Sequence, residues 1–199
     1  LKERSSRIKI LFRRIFRRGA SLWKRPSILF LLFILLFPSC VGSPRLKESK
    51  WIRLVGDVPF YPQESYQCGP ASLAGVLNYW GVNVSPEEIA REIYSPTAGG
   101  TLNLDMILYA ERKGMKALHY KGDVFDMRSK IDMGYPVIVL VDLGFWIYQQ
   151  NHFMVVVGYD EKNFIAHSGR ERLKSISQKE FFRTWAKTNF WTLLVTPHR

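Results

Sequence analysis

Two stretches, "YPVIVLVDL" starting at Tyr135 and "HFMVVVGYD" starting at His152, limit most sharply what this chain can fold into. Both are dominated by Val, Ile, Leu, Met and Phe. Branching at Cβ restricts χ1 in a helix and suits a pleated surface, so both read as strands. "NFIAH" and "FWTLLVT" follow, with Gly, Asp and Asn residues between the runs, and these too read as strands.

The part of the chain before Tyr135 carries helix signals. From Cys68, Pro70 stands in the first turn, Leu73, Val76 and Leu77 keep helical spacing, and Gly81 supplies a stop. "SPEEIAREIY" opens with Ser85, has Pro86 at the first helical position, and closes a capping box at Glu88. "TLNLDMILYAERKG" predicts a helix from near Thr101 to Gly114, and a short one is expected over Val124 to Met133. A last helix, in "SQKEFFRTWAK", starts with the pair Ser177 and Glu180. Helices first and strands afterwards imply an α+β fold with an antiparallel sheet.

Charge divides the chain differently. Residues 1–25 hold ten Lys/Arg and one Glu, residues 26–40 hold no charge, and residues 41–199 are nearly balanced at a net +3. The total of +12 is therefore a property of the leader. A nucleic-acid-binding domain would carry its basic excess on the folded part, so that class is disfavoured.

Within the leader, "RIKILFRRIF" places Ile8, Leu11, Phe12, Ile15 and Phe16 at the spacing of a basic amphipathic helix suited to an anionic membrane surface. Ile28 to Phe37 are ten consecutive apolar residues. They reach about 15 Å as a helix, roughly half a bilayer core. A basic region, a short apolar run and small residues make the plan of an export signal. The expected organisation is a basic leader over 1–25, a signal segment over 26–40, a linker over 41–56 and a folded domain over 57–199. "FPSC" resembles a bacterial lipoprotein signal, which implies lipidation at Cys40 and a membrane-anchored location in the cell envelope. A plain cleaved signal and a short uncleaved anchor are the alternatives.

Cys40 and Cys68 are the two cysteines of the chain. If Cys40 carries lipid, Cys68 has no intramolecular disulfide partner. A thiol at a helix start meets unpaired backbone N–H groups and the positive end of the helix dipole, which favour the thiolate. Gly69 beside it would admit a close substrate backbone. Among His119, His152, His167 and His198, His152 opens a strand and could face a helix start across a cleft, the arrangement a Cys–His pair needs. His167 ends the next strand and could neighbour it. A packed core thiol and hydrogen-bonded structural histidines are the competing readings. Phe145, Trp146 and Tyr148, in the loop before His152, are equally placed to be cleft walls or core.

"PFYPQESYQCGPASLAGVLNYWG", followed by "GYPVIVLVDLG" and "NHFMVVVGYDEKNFIAHSG", resembles the bacteriocin-processing, double-glycine-leader cysteine peptidases, and most closely their stand-alone, exported, lipoprotein-type relatives. The resemblance runs from about Val58 to Pro197. It implies a papain-like fold, with a helical first half packed on an antiparallel sheet, and peptide-bond hydrolysis without a cofactor or metal. Cys68 matches the nucleophile and His152 the general base. Gln63 matches the oxyanion-hole glutamine, with Gln67 as the alternative. Where the family carries an orienting aspartate this chain reads "IAHSG", which puts His167 at that position, followed by Ser168. The implied partners are a peptide or protein substrate, the membrane through a lipid anchor or leader, and a separate exporter or partner protein; nucleic acid is not among them. A silent peptide-binding module and an acyltransferase are the other functions this scaffold allows.

Overall fold

The computed structural model describes residues 51–62 and 67–198. The basic leader, the apolar run, Cys40 and Gln63 lie outside the described residues. Strand β1 (Arg53–Leu54) comes first, and after the gap come α1 (Cys68–Tyr79), α2 (Pro86–Ile93) and the small hairpin of β2 (Tyr94–Ser95) and β3 (Gly100–Thr101). Next are α3 (Asn103–Arg112), β4 (Met115–Lys121), α4 (Val124–Asp132), β5 (Val137–Asp142) and β6 (Asn151–Tyr159). The described chain ends with β7 (Asn163–Ser168), β8 (Glu171–Ser177), α5 (Gln178–Ala186) and β9 (Trp191–Pro197).

The larger sheet runs β4-β9-β5-β6-β7-β8, all antiparallel, with β1 added against β6 beyond the start of β5. Its centre is the pair expected from sequence. Val137 faces Val156 and Val141 faces His152 in register, and both strands are buried almost throughout. Burial on both faces accounts for apolar runs that do not alternate. β1 corrects the linker boundary: Arg53 and Leu54 pair with Tyr159 and Gly158, and the Val55 amide donates to the Val157 carbonyl at 2.7 Å.

The caps of α2, α4 and α5 follow from local chemistry. Ser85 and Glu88 form the reciprocal box, Asp123 accepts from the amides of Phe125 and Asp126, and Ser177 accepts from Glu180. The start of α1 differs, because Gln67 at the cap position makes no side-chain hydrogen bond to it. Its first-turn amides are thus left for other acceptors.

Two contacts fix α1 in place. At its far end the Trp80 indole donates to the Val195 carbonyl at 2.8 Å. Near its middle, a Cβ on Gly75 would come 2.8 Å from the Pro59 carbonyl oxygen, so the helix accepts only glycine where the segment after β1 crosses it. That segment is tied to the sheet by His167, whose Nε2 lies 3.2 Å from the Val58 carbonyl. Among the described residues no helix is long and apolar enough to cross a membrane.

Candidate active site

Cys68 is the first residue of α1 and is partly buried. The backbone amides of Phe153, Gly69 and Cys68 itself lie near enough to its sulfur to favour the thiolate. The Phe153 amide is half of the peptide bond that follows His152, so the start of α1 and the start of β6 meet there, as the sequence expected. Burial pushes the Cys68 thiol above its ordinary range, and the three amides pull against that shift without cancelling it.

His152 Nε2 lies 3.0 Å from Ser168 Oγ. Burial, aided by the positive charge of Lys174, brings the imidazole down to about 4. At neutral pH the histidine is therefore uncharged. Among the described residues no hydrogen bond joins Cys68 directly to His152, and the Nδ1 nitrogen has no protein partner. A thiol held above its ordinary range and a neutral imidazole constitute a resting acid and base, not a preformed ion pair.

The orienting position assigned to His167 requires correction. His167 Nδ1 accepts from the Leu173 amide at 3.2 Å, which leaves the ring proton on Nε2 to be donated to Val58. With both nitrogens engaged and the side chain only 3% exposed, the ring has nothing to offer His152. The reason is strand alternation. His167 and its successor point to opposite sides of β7, and Ser168 takes the side on which the His152 ring lies. Sequence matching placed the orienting group one residue too early.

Gly69 also serves a different purpose from the one expected. A Cβ there would meet the Thr101 side chain at 2.9 Å, so the space beside Cys68 is filled by β3 of the small hairpin. Gln67 lines a hollow with Glu87, Ala90, Arg91 and Tyr94, on the α2 side. The loop aromatics Phe145, Trp146 and Tyr148 are neither core nor covered walls; they stand in solvent. Asp142, at the end of β5, accepts from the Gly144 and Gln150 amides and so closes the base of this loop. It is committed there and does not orient His152. Clusters of metal-ligating side chains are absent among the described residues.

Several solved structures share this architecture. The chain superposes on the peptidase domain of Streptococcus ComA, a bifunctional ABC transporter of a quorum-sensing pathway, with a TM-score of 0.61 at 24% identity, covering 71% of this chain and 100% of that one. A C39-like peptidase from Bacillus anthracis gives 0.65 at 16%, over 74% and 98%. The double-glycine-motif protease of an AMS/PCAT transporter, solved with its leader peptide, gives 0.58 at 24%, over 71% and 93%. These establish the papain-like C39 peptidase fold. Among curated proteins, an uncharacterised protein of Methanothermobacter thermautotrophicus is 35% identical over 99 residues, half of this chain and 62% of that protein. A second, from Methanothermobacter marburgensis, is 34% identical over 110 residues, 55% of this chain and 70% of its own length. The model of the Peptidase_C39 like family matches residues 55–192, a span that takes in Cys68, His152 and Ser168 together with strands β4 to β8 of the larger sheet, and the chain belongs to that family.

Proposed function

We propose that this protein is a cysteine peptidase that hydrolyses peptide bonds through an acyl-thioester on Cys68, exported and held at the membrane through a lipid on Cys40. The observation that carries the reading is the seating of the Cys68 sulfur on the Phe153 amide, one peptide bond from His152. In the tautomer in which His152 Nε2 donates to Ser168 Oγ, Nδ1 is the nitrogen left to accept a proton.

The reaction then starts from neutral partners. As the sulfur attacks the scissile carbonyl, its proton passes to Nδ1, and the same proton is delivered to the departing amine when the C–N bond breaks. Water, deprotonated by His152 in turn, releases the acyl group from sulfur. The developing oxyanion would take the Cys68 backbone N–H and, by the family pattern, the Gln63 side chain; donors of this kind contribute about 3 kcal/mol each.

A second reading rests on one feature of the site. The partner of His152 is a hydroxyl and the charge that acts on it is the Lys174 ammonium, so the imidazolium formed during attack gains no carboxylate. That favours a slow enzyme or a cleft that binds peptides without cutting them.

One experiment separates the two. The protein is incubated with a peptide library and the Cys68 tryptic peptide is examined by mass spectrometry after acid quench. An acyl adduct on Cys68, together with cleaved products, is expected; Cys68→Ala should reduce cleavage by more than about a thousandfold. Retention of library peptides with no adduct and no product establishes the binding module instead.

A further inference from the structure

The loop between β5 and β6 exposes its largest side chains. Phe145, Trp146, Ile147 and Tyr148 are 83%, 89%, 73% and 77% exposed. A flexible loop of this composition would fold back on the protein and hide apolar surface. This one is held open at its base. Asp142 Oδ1 accepts from Gly144 and Gln150 at 2.7 and 2.9 Å, the Leu143 amide donates to the Gln150 carbonyl at 2.9 Å, and Lys187 Nζ donates to the Gly144 carbonyl at 2.6 Å.

At the tip, Tyr148 N–H donates to the Phe145 carbonyl, and Trp146 sits between them at φ 55°. Left-handed backbone is costly for a bulky residue, and here it carries the largest side chain of the loop outward at the apex.

The surroundings identify the partner. From Leu143 to Gln150 the loop has no charged residue. Beside its base stands Lys187, and further along the same rim Phe182 packs on Phe190, with the Lys121 ammonium over the Phe190 ring at 5.6 Å. Trp and Tyr with Phe and Ile at an uncharged tip, with Lys121 and the Asp142-paired Lys187 at the same end of the sheet, is the chemistry of insertion into the headgroup region of an anionic bilayer. We infer that this loop is a membrane-insertion tip that seats the β5–β6 end of the domain, where His152 begins β6, on an anionic lipid surface. The inference stands independently of peptide hydrolysis.

The test uses the full chain and vesicles of phosphatidylcholine with and without phosphatidylglycerol, containing lipids brominated on the acyl chain. Subtracting the fluorescence of Trp146→Phe from that of the wild type isolates the Trp146 emission. That difference should shift to the blue and be quenched by the brominated chains, more strongly with phosphatidylglycerol and less at high salt. In Phe145→Ser/Ile147→Ser the lipid concentration needed to quench Trp146 should rise by about tenfold, while the rate of Cys68 alkylation without vesicles stays unchanged. If vesicles bind through the leader alone, the Trp146 difference signal will not move and the inference fails. It fails equally if the double variant alters Cys68 alkylation in the absence of lipid, since the loop would then belong to the cleft.

Discussion

His152 and His167 lie on neighbouring strands of one sheet, and their surroundings differ in kind. His167 gives its proton to Val58 and takes one from Leu173, so each ring nitrogen meets backbone and the side chain serves as a cross-brace. His152 rests on a single serine hydroxyl and keeps its other nitrogen unengaged among the described residues. Fully satisfied polar groups build structure, whereas a group with spare capacity can still exchange a proton. The same residue type thus divides into a fully bonded brace and, under the proposed function, a base, according to how many of its hydrogen bonds the fold has already taken.

Exchanging each for alanine should break that contrast most sharply. His167→Ala leaves the Val58 carbonyl and the Leu173 amide unpaired beside a cavity and should lower stability by about 3 kcal/mol, read from urea denaturation. His152→Ala should change stability by no more than about 1 kcal/mol at neutral pH, yet slow peptide cleavage by about a thousandfold. Equal losses of stability in the two variants would contradict the division.

Acid should expose the difference in a second way. The folded His152 resists protonation down to about 4 while the unfolded chain binds its proton near 6.5. Stability is therefore at its full value above about 6.5 and falls as pH drops through the interval, because the unfolded chain takes up the proton first; the loss is complete below about 4. The total is on the order of 2 kcal/mol after allowance for partial exposure. His167 is shifted in the same direction by burial, so urea midpoints measured across this window should flatten only in part in His152→Ala. A profile that ignores pH between these limits would show that neither ring is buried neutral.

The smallest effect concerns the partner of His152. Ser168→Asp places a carboxylate against Nε2 and should raise the His152 titration by about one to two units in a nuclear magnetic resonance titration. Ser168→Ala should leave the titration low and reduce cleavage by only about tenfold. An unmoved titration in the aspartate variant would mean that Ser168 does not govern the imidazole.

How much of this was legible beforehand depended on burial. The central strands β5, β6, β7 and β9 announce themselves through Val, Ile, Leu and Phe, because burial on both faces leaves little room for anything else. The outermost strands, β4 and β8, were not foreseen. "MKALHYK" and "ERLKSIS" carry charge and few β-branched residues, as sheet edges do when they must not pair with another chain. The helix starts at Ser85, Asp123 and Ser177 follow local cap chemistry and fell where the sequence placed them, or within two residues. Cys68 and His152 were readable because each opens an element. Ser168 was not, since choosing it over His167 requires knowing which face of β7 each side chain occupies. Thr101 against Gly69 is likewise a tertiary contact that no local pattern encodes.

The brace between Val58 and His167 closes a separation of 109 residues. Its consequence concerns synthesis. When α1 leaves the ribosome with its thiol already in place, the imidazole, the serine that holds it and the brace that fixes the crossing segment are all still to be made. Long-range closures of this kind come late in folding. A nascent chain therefore carries the Cys68 thiol for most of its translation without the His152 ring and its serine partner, which are in place only once β6 and β7 have been added.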